Sequence, residues 1–147
     1  MNIESMNILN RNILNIYDEK NRGKLLPISF SDIPFVPQRI FVVTDVPPGE
    51  TRGYHAHHQN QQVLVIVKGK IRIMLDNGHE KRYIYAWAGD SVFHSEMEWA
   101  EITFMNEYAI LMSICSMEYD EKDYIKDYLQ FLKLVGNNKI YVKHFEI

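Results

Sequence analysis

From residue 39 to residue 115 the chain reads as short apolar segments broken by turn-forming residues. Arg39 to Thr44 (RIFVVT), Tyr54 to His58, Gln62 to Val67, Ile71 to Leu75, Arg82 to Trp87, Ile102 to Met105 and Ala109 to Cys115 are rich in β-branched and aromatic residues. That composition predicts strands. In the fourth segment Ile71, Ile73 and Leu75 alternate with Lys70, Arg72 and Met74, the period-2 mark of a strand with one buried face. The Gly-containing gap Lys68-Gly69-Lys70 predicts a hairpin, and Asp76-Asn77-Gly78 a second tight turn, because Asn and Gly tolerate positive φ. Many short strands with closely spaced turns imply an all-β antiparallel sandwich or barrel.

The flanks read differently. All five prolines lie between residues 27 and 48, so the N-terminal third is loop-broken, with edge strands expected only around Ile13 to Tyr17 and Leu25 to Phe30. From Asp120 to Val135 apolar residues fall at Tyr124, Ile125, Tyr128, Leu129, Leu132 and Val135, which is helical spacing. Asp120 is placed to cap that helix and Gly136 to end it. A last strand is expected over Lys139 to Phe145.

Composition narrows the class. At 147 residues, 46% hydrophobic and 24% charged, the chain suits one globular domain spanning 1–147. A net charge of −3 without a basic block argues against nucleic-acid binding through phosphate neutralisation. The single cysteine, Cys115, excludes an internal disulfide and a cysteine-built zinc site. The first fifteen residues contain no signal-peptide core. The longest apolar run, Tyr83 to Ala88, is six residues, and Val63 to Val67 and Tyr108 to Met112 are five. That is far short of the roughly 20 that cross a bilayer, so a cytoplasmic protein is expected.

The chemistry concentrates in Gly49 to Gly69, GETRGYHAHHQNQQVLVIVKG. On a strand His55 and His57 share a face. Gln62 approaches them if its strand pairs with theirs, and Arg52 precedes them as a phosphate-gripping guanidinium. Two histidines at i, i+2 are more often surface residues than a site. The frame around them, Gly-x5-His-x-His-x4-Gln-x6-Gly, is more specific and resembles the first cupin motif, with Gln62 in place of the usual acidic residue. The second motif, from Gly89 to Asn106, lacks its Pro and His; Ala100 lies where the His should fall and His94 comes too early. Gln is also a poorer divalent ligand than a carboxylate. No metal and no cofactor are therefore expected, and the imidazoles read as acid/base groups.

Arg52-Gly53-Tyr54-His55-Ala56-His57, followed by Gln62-Val63-Leu64-Val65, resembles the sugar 3,4-ketoisomerases that act on dTDP-4-keto-6-deoxy-D-glucose. So does the run Tyr119-Asp120-Glu121-x-Asp123-Tyr124-Ile125, with Lys126 where that family has Arg. Trp99 and Glu101 match a W-x-E position, and Arg39 a strand start. The resemblance covers about residues 24 to 133. It implies a small cupin barrel (an RmlC-like jelly roll) with one C-terminal helix, forming a homodimer whose N-terminal strands exchange. It also implies conversion of a dTDP-linked 4-keto-6-deoxyhexose to its 3-keto isomer, in the synthesis of 3-amino-3,6-dideoxyhexoses for surface glycans. His55 and His57 would be the catalytic pair. Arg52, Arg39, Gln62, Trp99, Glu101 and Phe41 would contact substrate, Trp99 by stacking at the barrel mouth.

Two departures stand out: Phe41 replaces a family Tyr, and Ala100 stands where some relatives place a His. They favour, as a rival from another class, a non-catalytic cupin that binds a nucleotide sugar. The enzymatic alternative is a dTDP-sugar 3,5-epimerase, with a metal-dependent oxygenase behind it. Tyr124 and Tyr128 read as helix-face core residues, His58 as solvated, His79, His94 and His144 as structural, and Cys115 as buried core.

Overall fold

The computed structural model describes residues 12–136, so the expected strand at Lys139 to Phe145 and His144 lie outside the described residues. Two antiparallel sheets face each other. One has the order β3(Arg39–Val43)-β10(Ile110–Cys115)-β5(Gln62–Lys68)-β8(Ser91–His94). The other has the order β11(Tyr124–Ile125)-β4(Thr51–His57)-β9(Trp99–Phe104)-β6(Lys70–Asp76)-β7(Lys81–Trp87). Inward-facing Leu64, Ile66, Ile71, Ile73, Leu75, Val92, Ile102, Phe104 and Leu111 fill the space between them. The expected period-2 alternation holds on β6: Ile71, Ile73 and Leu75 are fully buried, while Lys70 and Arg72 face outward.

Asp76-Asn77-Gly78 forms the expected turn, and β6 pairs with β7 along its whole length. Lys68-Gly69-Lys70 does not form a hairpin. β5 pairs with β10 and β8, β6 pairs with β7 and β9, and Gly69 is the corner where the chain passes between sheets. Its φ of +81°, and the approach of Ala109 Cα to 2.7 Å from where a Cβ would stand, leave room only for glycine. β4 and β5 likewise lie in different sheets and do not pair, so Gln62 faces the histidines across the barrel rather than along one sheet.

The N-terminal strands shrink to a two-residue ladder, β1(Tyr17–Asp18) with β2(Lys24–Leu25); the prolines that follow leave a 3-10 turn at Phe30–Asp32 instead of a longer strand. Leu14, Ile33 and the half-buried Leu26, Ile28 and Phe35 still cover the outer face of the four-stranded sheet.

The helix expected over Asp120 to Val135 is three elements. Asp120 caps a 3-10 turn, Glu121–Asp123, through Lys122 N–H. Tyr124–Ile125 then forms β11 against His57 and Ala56. Asp127 caps α1(Tyr128–Leu134) through Leu129 and Gln130 N–H, and Gly136 follows it at φ +83°. Tertiary pairing overrides the helical period here, because the buried Asp123 carboxylate accepts from Gln59 and Asn60 N–H and anchors the segment to the end of β4. The helix packs Phe131 and Leu132 on Met74 and Trp99, on the outer face of the five-stranded sheet.

Candidate active site

An irregularity in β4 sets the geometry of the site. Arg52 and His55 are three residues apart, so a regular strand would send them to opposite faces. The register shifts between Gly53 and His55: Arg52 pairs with Ile102 and His55 with Ala100, both inward-facing positions of β9. Gly53 at φ +101° and Tyr54 at φ +57° absorb the extra residue. A Cβ on Gly53 would lie 2.8 Å from the Ala100 carbonyl oxygen. Arg52, His55 and His57 thereby share the inner face.

Arg52 and His55 border a cavity of about 510 Å³ that opens between β3 and β4. Its outer lining is Arg39, Arg52, Lys126, Tyr119, Tyr124 and Phe41; its buried floor is Gln62, Leu64, Ile102, Phe104 and Leu111. Three cations and no carboxylate line it. Arg39 lies over the rings of Phe41 and Tyr119 at 5.5 and 5.7 Å, and its buried Nε has no hydrogen-bond partner among the described residues. Lys126 lies over the Tyr124 ring at 5.7 Å and forms an exposed ion pair with Glu121 at 3.7 Å, which is worth little in water. This mouth is built to attract a polyanion such as a diphosphate.

The two histidines are neutral. His55 Nδ1 lies 3.0 Å from the Gly53 carbonyl oxygen, which can only accept, so Nδ1 carries the hydrogen and Nε2 holds the free lone pair. Burial lowers the His55 pKa to about 4, against the opposing pull of that carbonyl; the neighbouring His94 and Lys126 lower it further. His57 is 1% exposed, and neither ring nitrogen has a partner among the described residues. Burial, then His94, His55 and Arg39, hold its pKa far below the ordinary value. Its ring centroid is 4.9 Å from that of His55, and the Tyr124 ring contacts both, at 5.0 Å from His55 and 4.6 Å from His57.

Behind the pair runs a buried polar chain. His94 Nε2 donates to the Glu98 carbonyl at 2.7 Å, its Nδ1 lies 3.1 Å from the Gln62 amide, and that amide reaches Cys115 Sγ at 3.5 Å. Burial keeps His94 neutral, so its Nδ1 accepts. Both ends of the Gln62 amide are thereby engaged, one by His94 and the other by Cys115. Among the described residues no three His, Cys, Asp or Glu side chains converge as a metal site.

Of the residues singled out from sequence, His55, Arg52, Arg39, Phe41 and Gln62 border the cavity, with His57 directly behind His55. Gln62 supplies floor rather than a free hydrogen-bonding group. Trp99 and Glu101 do not border it. They occupy the outward face of β9, where Trp99 is 3% exposed against Tyr128 and Phe131 and its Nε1 donates to Glu101 at 3.0 Å. Tyr124, read from sequence as helix-face core, lines the cavity because β11 is a strand. Tyr119 and Lys126 were not expected there; their place in the same run as Tyr124 was the available signal.

The FdtA family (WxcM-like, C-terminal) matches residues 6–136. The chain is 32% identical over 124 residues to a TDP-4-oxo-6-deoxy-alpha-D-glucose-3,4-oxoisomerase of Aneurinibacillus thermoaerophilus, covering 79% of this chain and 85% of that one. A 3,4-ketoisomerase from Helicobacter canadensis superposes with a TM-score of 0.78 at 31% identity, covering 85% of this chain and 95% of its own. A double mutant of the QdtA 3,4-ketoisomerase from Thermoanaerobacterium thermosaccharolyticum, solved with TDP, gives 0.79 at 30%, covering 86% and 92%. With the motif, the cupin barrel and the cationic cavity in agreement, the chain belongs to the FdtA (WxcM-like, C-terminal) family, an isomerase family that includes these sugar 3,4-ketoisomerases.

Proposed function

We propose that the protein isomerises TDP-4-keto-6-deoxyglucose to the 3-keto sugar, with His55 and His57 dividing the proton transfers. The observation that carries this reading is the neutral His55, its Nδ1–H committed to Gly53 and its ring on the wall of a cation-rimmed cavity. The reaction removes the proton from C3 and leaves an enediolate across C3 and C4. A proton is then returned to C4 while O3 becomes the carbonyl oxygen. C3 is oxidised as C4 is reduced, so the redox balance closes within the sugar. Neutral imidazoles suit both steps. His57, its ring nitrogens unpartnered among the described residues and its ring centroid 4.9 Å from that of His55, would serve as the second acid/base group. Arg39, Arg52 and Lys126 would hold the diphosphate and offset enediolate charge. The uncovered apolar residues on the β3 edge, Ile40 and Val42, each at least half exposed, support a second copy of the chain as partner.

The experiment is incubation with TDP-4-keto-6-deoxyglucose in D₂O, followed by NMR, for wild type and for His55→Asn and His57→Asn. The expected result is a 3-keto product deuterated at C4 with the wild type, and a loss of turnover of about 10²- to 10⁴-fold in each variant. Full turnover by either variant would remove that residue from the mechanism. Exchange and inversion at C5 would assign an epimerase instead, and binding without conversion a non-catalytic carrier.

A further inference from the structure

The cavity is two-sided, and the apolar half has no part in the proton transfers. Arg52, Lys126 and Tyr119 are exposed at the mouth, whereas Leu64, Ile102, Phe104 and Leu111 form a floor in which none is more than 9% exposed. A sugar nucleotide carries its diphosphate on C1. With that group held by the cations at the mouth, the opposite edge of the ring, C3 to C5, points inward towards His55 and the floor. C6 branches from C5, one bond beyond the reacting C4, and so meets the apolar floor.

We propose that Leu64, Ile102, Phe104 and Leu111, with Val43 on the wall beside them, are the specificity determinant that accepts a methyl group at C5 and rejects a hydroxymethyl. This rests on the function proposed above. Within the floor itself no described side chain is free to serve a hydroxyl. Ser113, on the inner face of β10, is fully buried, does not line the cavity, and has its Oγ 3.6 Å from Cys115 Sγ. The Gln62 amide is committed to His94 and Cys115. A 6-hydroxyl would lose its water and gain no partner, whereas a methyl group gains apolar contact. By this reading the reaction that supplies the substrate must be one that removes the C6 hydroxyl.

The test is calorimetric titration with TDP, TDP-6-deoxyglucose and TDP-glucose, none of which carries the ketone, so binding is read without turnover. Wild type should bind the 6-deoxy ligand about 10-fold or more tightly than TDP-glucose. Val43→Thr, which places a hydroxyl in the wall at nearly unchanged volume, and Ile102→Thr, which places one in the floor at the loss of one carbon, should shrink the ratio to about 3-fold or less while TDP binding persists. Equal affinities in wild type would overturn the proposal and leave the isomerase reading standing. So would an unchanged ratio in variants that still bind TDP. Failure of all three ligands to bind would overturn both.

Discussion

Replacing Gly53 by alanine isolates the contribution of the β4 bulge. The new Cβ would lie 2.8 Å from the Ala100 carbonyl oxygen, 3.5 Å from its carbon and 3.6 Å from Glu101 Cα. All three are backbone atoms of the paired strand, so no side chain can swing aside. Restoring ordinary contact with the oxygen moves β4 away from β9 by about 0.6 Å. The φ of +101° adds strain, and together these should cost about 2–4 kcal/mol of stability. Because Arg52 and His55 flank the bulge, the same displacement misaligns guanidinium and imidazole, for an expected loss in kcat/KM of about 10- to 100-fold. Gly49→Ala is the control. Gly49 has a similar φ, +86°, but open space around it, so that variant should lose about 1–2 kcal/mol and keep its turnover. Urea unfolding supplies the stabilities and NMR-monitored isomerisation the rates. Wild-type turnover in Gly53→Ala, or an equal loss in Gly49→Ala, would refute the bulge as the device that aligns the site.

Three further outcomes follow from the same geometry. With His55 at about 4, the acid limb of kcat/KM should fall near pH 4 rather than 6.5, because the active form is the neutral ring. A histidine whose folded pKa is depressed takes up its proton more readily when unfolded, so stability should decline as pH falls below 6.5. The His55 share is about 2 kcal/mol by pH 5, and a His55→Asn variant with the wild-type pH dependence in urea melts would contradict this. Arg39→Gln, which removes a cavity cation without creating a buried charge, should weaken TDP binding about 10-fold and flatten its salt dependence, measured by titration at two ionic strengths. Trp99→Phe should lower the melting temperature through lost packing on Tyr128 and Phe131 while leaving KM unchanged; a raised KM would return Trp99 to the substrate site.

What the amino-acid sequence determined by itself was the local part of this protein. Alternation of apolar and polar residues specified β6 with its inward Ile71, Ile73 and Leu75, the Asp76-Asn77-Gly78 turn specified the β6–β7 hairpin, and the spacing of His55 and His57 put both imidazoles on one face. The motif around them, with the Tyr119 to Ile125 run, was sufficient to indicate the cupin family, since it records the site's chemistry directly. Tertiary structure decided everything that depends on which strand lies beside which. Hairpin chemistry at Gly69 is compatible with a turn or a corner, and only the pairing of β5 with β10 and of β6 with β9 selects the corner. Helical periodicity from Asp120 was locally sound, yet Asp123 hydrogen bonds and the open edge of β4 outweighed it and delivered Tyr124 to the cavity. The W-x-E pattern identified Trp99 and Glu101 but not their face, because a strand's inward side is set by its partners' register. Propensity and period act over a few residues; pairing, burial and the alignment of a site are settled by contacts between residues far apart in the chain.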